Sequence, residues 1–279
     1  MRNWSGGTVL AALLSASLLT LLLLPLVALV TYVPPSAIAR AASDPAARAS
    51  IAFTLYASGL ALGISLLLGV PLGYVLARRT FPGRAVVESA VALPVVVPHL
   101  IAGIALFLMF EPGTAFSRIA ARLGFTILET IWGVVLVMVY VSAPYTVLAS
   151  QLAFRSVDPR LVEAARSLGA PPSRVFWSVS LPIAARGIAA GGLLTWARSV
   201  SEIGGFLILA STVYPTTVYS GPVTQPISIY INSFYQGGNL DAAVAASSLF
   251  VLIAFAIFLG VRVAERLGRL PWRRGEWLP

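Results

Sequence analysis

The sequence predicts an all-α integral membrane protein with six transmembrane helices and one short helix in a polar loop. Of its 279 residues, 58% are hydrophobic and only 10% are charged, whereas a soluble domain has about 25% charged residues. Six apolar stretches are long enough to cross a bilayer, which takes about 20 residues. The polar segment 156–182 separates the fourth stretch from the fifth.

The predicted spans are residues 8–33, 52–77, 86–110, 128–150, 184–210 and 242–263. The first span follows Arg2 and could be mistaken for a signal peptide. Its apolar run is about 25 residues, however, which is longer than the apolar region of a signal peptide. We therefore expect residues 8–33 to stay in the membrane as an anchor.

The arginines predict the orientation of the chain. All 19 basic residues are arginine, and with a cytoplasmic N-terminus most of them lie in cytoplasmic segments. Only Arg40, Arg48, Arg118 and Arg122 then lie outside, and Arg198 lies within a span. Because positive residues favour the cytoplasmic side, we predict a multi-pass protein of the cell membrane with both termini, including the tail 264–279, in the cytoplasm. This distribution does not indicate a nucleic-acid partner.

The polar segment is expected to contain a short helix. Asp158 followed by Pro159 is typical of an N-cap with proline at the first helical position. Gly169, followed by Pro171, predicts the end of the helix. The helix would have about ten residues and be about 15 Å long. One side would present a shallow apolar surface to another protein, formed by Leu161, Ala164, Ala165 and Leu168. A plain interfacial helix between two spans is the alternative.

The same segment matches a known motif. Its residues Glu163, Ala164, Ala165, Gly169, Leu181 and Pro182 resemble the EAA motif of ATP-binding-cassette (ABC) importer permeases. In that family the loop, here 156–182, inserts a cytoplasmic coupling helix into a separate ATPase subunit. The resemblance implies a type I ABC importer permease fold. It also implies one transmembrane permease domain over 1–279, with the conserved core at 52–263.

Further segments resemble the molybdate/tungstate branch of these permeases, and sulfate permeases share much of the pattern. They are LPVVVPHLIAGIAL, SAPYTVLASQLAFRSVDPRLVEAARSLGA and LPIAARGIAAGGLLTWARSVSEIGG. The resemblance implies a path for an oxyanion, molybdate or tungstate first and sulfate or another oxyanion as the alternative. It implies ATP-driven alternating access by a homodimer with two ATPase subunits and an extracytoplasmic oxyanion-binding protein. An ion-gradient-driven secondary transporter is the rival hypothesis from a different class.

The sequence lacks the motifs of an enzyme. It has no G-x-x-x-x-G-K-[ST] segment, so we expect the chain not to hydrolyse ATP. ATP and magnesium would be bound by the partner ATPase, and no cofactor by this chain. With no cysteine and a single histidine, no metal site is predicted.

Arg198 and Glu202 are predicted to lie four residues apart on one helix face near the middle of the membrane. An arginine at that depth costs about 2.5–3.5 kcal/mol, so it is expected to pair or to face water. The two residues could line an anion path, or they could form a structural ion pair.

Pro94 and Pro98 are one turn apart in the third span. Each removes a helical hydrogen bond, so the span is expected to bend or break near its cytoplasmic half. The bend could be a hinge beside the pore or only a shape feature. His99, which follows, could contact substrate or could be a hydrogen-bonded helix residue.

Two further patterns concern helix packing and the secondary structure of the outer loop. The glycine pairs Gly59/Gly63, Gly69/Gly73 and Gly187/Gly191 have the spacing that lets membrane helices approach closely. In the outer loop 211–241, the segment QPISIYINSFYQGG fits both a helical and a strand period, and this ambiguity is left open.

Overall fold

The chain is all-helical. The computed structural model describes residues 6–266, and within that range there is no β-strand, only an isolated bridge between Val213 and Thr224. Arg2 and the predicted tail from residue 267 onward lie outside the described residues.

The α-helices are α1 (Gly6–Tyr32), α2 (Pro35–Ser43), α3 (Pro45–Arg78), α4 (Arg84–Val96), α5 (His99–Phe110), α6 (Ala115–Arg122), α7 (Ile131–Arg155), α8 (Pro159–Ser167), α9 (Pro172–Val175), α10 (Leu181–Val200), α11 (Gly204–Leu209), α12 (Ile227–Gln236) and α13 (Leu240–Arg266). A π-helical turn, Phe176–Ser180, joins α9 to α10.

The chain divides into two compact units. One comprises the described residues up to Arg48 together with Tyr230–Leu259, and the other comprises Ala49–Ile229 and the described residues from Gly260. In the larger unit, the main apolar core is built from α3, α5, α7 and α11 around Phe53, Met138 and Phe206.

Five helices in residues 6–266 are long and apolar enough to cross a membrane, namely α1, α3, α7, the continuous helix Pro172–Val200 and α13. The sixth predicted span, residues 86–110, is a pair of helices, α4 and α5, bent by 114°. The predicted break is therefore confirmed. It lies at Val97 and Pro98, near the middle of the span rather than toward one end. Pro98 has no N–H to donate, so it interrupts the helical hydrogen bonds there and becomes the N-cap of α5.

The fifth span differs most from its predicted range, 184–210. Its helix begins at Pro172 and ends at Val200, and the apolar residues beyond the break form the separate short helix α11. Proline at 182 was expected to close a loop, yet it lies inside this helix. The π-helical turn immediately before it changes the local hydrogen-bonding register, which accommodates a residue that has no N–H to donate.

Two of the three glycine pairs make close helix contacts. A Cβ on Gly73 would lie 2.7 Å from Ser150 Cβ of α7, and a Cβ on Gly191 would lie 2.2 Å from Ala149 Cβ. Helices α3 and α10 therefore pack on α7 with almost no side chain between the backbones. In contrast, a Cβ on Gly59 or Gly63 would meet no atom within 4 Å.

In the smaller unit, Asp44 joins two elements. Its carboxylate accepts hydrogen bonds from the Ala46 N–H (3.0 Å), at the start of α3, and from the Tyr230 hydroxyl (2.5 Å) of α12. The bond from Tyr230 lowers the pKa of Asp44, whereas burial and the same bond raise the pKa of Tyr230. Because α12 is a helix, the structure resolves the open choice for QPISIYINSFYQGG.

We predict that Gly191→Ala lowers the stability of the protein by about 1–3 kcal/mol, the usual cost of overpacking a core. Gly63→Ala is the matched control, because it adds the same methyl group to a membrane helix where nothing lies within 4 Å. Thermal unfolding in detergent micelles would compare the two variants. Equal melting temperatures would show that the contact between α10 and α7 tolerates a side chain.

Candidate functional site

The breaks in two spans meet at a cluster of three side chains, Arg198, Glu202 and His99, which we call the break cluster. Glu202 is fully buried, with 0% of its side chain exposed. Its Oε2 lies 3.2 Å from Arg198 Nη1 and 3.0 Å from His99 Nδ1. Its Oε1 accepts the backbone N–H of Gly205 at 2.8 Å. Both carboxylate oxygens are thus hydrogen-bonded, as a buried charge requires.

His99 contacts both charged partners. Its Nδ1 faces Glu202, and its Nε2 lies 2.7 Å from Arg198 Nη2. A guanidinium can only donate and an ionised carboxylate can only accept. A neutral imidazole protonated on Nδ1 therefore satisfies both contacts. In this state Arg198 and Glu202 neutralise each other, and the cluster has no net charge.

The backbone segments around the break cluster are also in close contact. A Cβ on Gly204 would lie 2.7 Å from His99 Cβ, and a Cβ on Gly103 would lie 2.8 Å from Gly205 Cα. Helices α5 and α11 therefore cross at backbone contact. On the far side, the Ser228 hydroxyl of α12 donates to the Glu202 carbonyl at 2.7 Å. These bonds satisfy polar groups that a broken helix would otherwise leave unpaired.

The structure corrects one detail of the predicted pair. Arg198 and Glu202 do form an ion pair, but they do not share one helix, because α10 ends at Val200 and Glu202 lies in the break. The carboxylate instead bonds the N–H of Gly205 at the start of α11. With Arg198 only 17% exposed and already paired, the geometry favours a structural role for the pair over an anion path. His99, 44% exposed, is the most accessible member.

Two of the predicted pore residues precede His99 of this cluster in the chain. Pro94 is inside α4, Pro98 is the N-cap of α5, and His99 is the first residue of α5. The bend of 114° between the two helices turns the chain so that α5 can pack on α11.

The motif segment forms a second site on α8. The helix has nine residues, with the Asp158 carboxylate accepting the Arg160 N–H at 2.9 Å and Pro159 at its first position. Gly169 follows it with φ of 81°, a left-handed conformation that glycine adopts without strain. The predicted caps of the helix are confirmed.

One face of α8 is exposed and apolar. Leu161 is 49% exposed, Leu168 is 88% exposed, and Ala164 on the same side is exposed as well. Ala165, predicted on that side, is half-buried, and Glu163 is exposed on the other side of the helix. A third side is fixed by Val162, which packs on a small core with Phe154, Val157 and Phe176.

The last two motif residues have a different environment. Leu181 and Pro182 begin α10, directly after the π-helical turn, and both are half-buried. Leu181 packs on the same small core as Val162. The second half of the predicted loop 156–182 is thus helical from Pro172, and the core that supports α8 is continuous with the fifth span.

Two contacts next to α8 were not predicted from the sequence, although Glu88 itself is expected to be a solvated or paired residue at the membrane interface. Glu88 Oε1 accepts hydrogen bonds from Gln151 (2.6 Å) and Arg155 (3.2 Å), which joins α4 to the end of α7 just before α8. Arg78 donates to the Val157 carbonyl at 2.9 Å, which fixes the chain entering α8. The spacing of four residues indicates the pairing of Glu88 with Arg84, which is present at 3.1 Å, but nothing in the sequence indicates Gln151 or Arg155.

We predict that Arg198→Ala and Glu202→Ala each destabilise the protein by about 3–5 kcal/mol, because each leaves a buried charge unpaired. The double variant should lose less than the sum of the two, with a coupling energy of about 0.5–3 kcal/mol. Unfolding of the purified variants in detergent measures this cycle.

Arg186→Ala is the control, because Arg186 is an exposed arginine of the same helix. It should leave stability nearly unchanged. Strictly additive effects of the first two substitutions would contradict a structural pair and favour a direct contact of Arg198 with the transported anion.

Solved structures show the same architecture. The permease chain in the crystal structure of a bacterial alginate ABC transporter, in complex with an alginate pentasaccharide-bound periplasmic protein, superposes with a TM-score of 0.71. The match covers 93% of this chain and 94% of that chain at 22% identity. This likeness establishes the fold, that of a type I ABC importer permease.

Sequence comparisons establish the family. Residues 69–269 match the family model described as the binding-protein-dependent transport system inner membrane component. The molybdate/tungstate transport system permease protein of Thermococcus kodakarensis is 38% identical over 199 residues, 71% of each chain. A probable molybdenum ABC transporter permease protein of Haloferax volcanii is 34% identical over 97% of this chain and 93% of its own. The chain therefore belongs to the family of binding-protein-dependent transport system inner membrane components, the multi-pass membrane permease subunits of ABC importers.

Proposed function

We propose that this chain forms the translocation path for an oxyanion, most specifically molybdate or tungstate, and opens it alternately to the two sides of the membrane. Sulfate or another oxyanion is the alternative. The name of the Thermococcus kodakarensis relative supports the substrate. The motif segments that also resemble sulfate permeases support the alternative.

The observation on which the proposal depends is the exposed face of α8. The apolar side chain of Leu168 is 88% exposed, and covering it with another protein surface would lower the free energy. The neighbouring Glu163, Ala164 and Gly169 occupy motif positions that contact the ATPase in ABC importers. We infer that α8 is the coupling helix and that a separate ATPase subunit binds it in the cytoplasm.

The packing beneath α8 supports a mechanical role. Val162 and Leu181 share one core, so a force on α8 is transmitted to the start of α10. Helix α10 packs on α7 through Gly187 and Gly191 without intervening side chains, so the pair would move as one body. At its other end, α10 terminates at the break cluster, where α5 and α11 meet.

The assembly would contain two copies of this chain, two ATPase subunits and an extracytoplasmic oxyanion-binding protein, with both termini of each permease in the cytoplasm. ATP and magnesium would be bound by the ATPase subunits, and this chain would bind neither. The binding protein would provide selectivity, which fits a permease whose Arg198 and Glu202 already neutralise each other.

We predict that Glu163→Arg and Gly169→Trp abolish most of the oxyanion uptake while the chain still inserts into the membrane. Glu163→Arg reverses the charge of an exposed motif residue of α8, and Gly169→Trp places a bulky side chain where φ is 81°. Uptake in proteoliposomes and co-purification of the ATPase would measure the effect.

Gly83→Trp is the matched control, because Gly83 has φ of 83° and an added Cβ there would meet nothing within 4 Å. It introduces the same backbone strain away from α8. Normal uptake and normal ATPase co-purification in the two α8 variants would refute the docking assignment.

The substrate is tested with proteoliposomes that contain the permease, its ATPase and its binding protein. We expect labelled molybdate or tungstate to accumulate only when ATP is enclosed and the binding protein is outside, with little competition from sulfate. Accumulation driven by an ion gradient without nucleotide would reject the ATP-driven mechanism. Uptake of sulfate alone would select the alternative substrate.

A further inference from the structure

Helix α6 is too short to cross a membrane and lies between two spans. Its eight residues extend about 12 Å at 1.5 Å per residue, whereas a bilayer core is about 30 Å thick. It is joined to the end of α5 by residues 111–114 and to the start of α7 by residues 123–130. This inference does not depend on the proposed function.

Aromatic contacts hold α6 at the level where these spans end. Phe116 of α6 packs on Phe110, the last residue of α5, with ring centroids 6.3 Å apart. Phe125 packs edge-to-face on Trp132 at the start of α7, at 4.8 Å. Tryptophan is enriched where spans emerge into the headgroup region, and Trp132 lies at the start of α7. The position of α6 in the fold is therefore the membrane boundary.

One face of α6 is apolar and uncovered. Phe116 is 52% exposed, Ile119 is 53% exposed and Leu123, at its C-cap, is 67% exposed. These exposed fractions approach that of Leu67, which is 72% exposed on α3, a helix apolar and long enough to cross a membrane. At 100° per residue the three side chains lie within about 60° of one another around the helix axis. The helix is attached to its unit by another face, where Ala120 is buried.

Two arginines lie along one side of this face. Arg118 and Arg122 are both exposed, about 130° and about 90° around the axis from the centre of the apolar face. Arg118 donates one hydrogen bond to the Gly113 carbonyl at 2.7 Å, which leaves other guanidinium N–H groups available. The side chain of Arg122 has no hydrogen bond or ion pair with any residue from 6 to 266.

We propose that α6 is an interfacial lipid-binding helix. Phe116, Ile119 and Leu123 contact the acyl chains, and Arg118 and Arg122 bind the phosphate oxygens of phospholipid headgroups. A short helix with an apolar face and arginines along one side of it has the composition of a helix that lies in the membrane interface, and guanidinium binds phosphate in bidentate geometry. Because only four residues separate α6 from α5, such an anchor fixes that end of α5 in depth while the break at Pro98 remains the point where the span can bend.

The cysteine-free sequence makes the test direct. Single cysteines replace Phe116, Ile119, Leu123 and, as the control on the opposite side, Ala121, which is exposed. Each is spin-labelled in the complete transporter, reconstituted in vesicles of phosphatidylethanolamine and phosphatidylglycerol. Collision rates are measured with oxygen, which concentrates among acyl chains, and with a water-soluble nickel chelate.

We expect labels at 116, 119 and 123 to collide with oxygen several-fold more often than with nickel, and the label at 121 to show the reverse. Nickel collisions equal to those at 121 would place the face in water. Protection from both reagents would mean that protein covers it. Either result would overturn the proposal.

The arginines are tested with the label kept at position 119. Arg122→Gln should raise nickel collisions several-fold because the helix rises toward water, and Arg122→Lys should restore the original values because a cation is again present. If the label at position 119 collides with nickel equally often in the native and Arg122→Gln chains, Arg122 does not bind lipid headgroups.

Discussion

The buried carboxylate of Glu202 is the interaction on which the interrupted spans depend. A chain break inside the membrane exposes backbone N–H and C=O groups that no water can satisfy, at a cost of several kcal/mol each. Glu202 accepts the Gly205 N–H, in the first turn of α11, with one oxygen and bonds Arg198 and His99 with the other. Ser228 bonds its carbonyl. One residue thus holds α10, α11, α5 and α12 together at a single point.

This arrangement explains why glycine surrounds the cluster. Hydrogen bonds of 2.8–3.2 Å to one carboxylate require the backbones to lie unusually close together. Gly204 against His99 and Gly103 against Gly205 allow that approach, because any Cβ would lie within 2.8 Å of another heavy atom. The polar bonds and the glycine contacts are therefore two parts of one constraint, and neither would be stable without the other.

The two candidate sites lie at opposite ends of α10. At one end, Leu181 packs with Val162 of α8 on a small apolar core. At the other, Arg198 pairs with Glu202. Between them, Gly187 and Gly191 hold the helix against α7. A helix that is packed along its length without flexible side chains moves as a rigid element, which is the property that coupling between distant sites needs. The turn at residues 168–171 and the π-helical turn Phe176–Ser180 are the irregular sections between α8 and this rigid element.

The sequence by itself determined the features that depend on local chemistry. Apolar length predicted the helical spans, Asp158-Pro159 and Gly169 predicted the bounds of α8, and Pro98 predicted a break, because caps, prolines and burial act on neighbouring residues. Tertiary structure alone decided that His99 meets Arg198, 99 residues away in the chain. It also decided that the apolar run after Glu202 is a separate buried helix, since hydropathy cannot distinguish contact with lipid from contact with protein. The physical reason is that a buried carboxylate specifies only that donors must be present. Which donors reach it is fixed by how the helices pack.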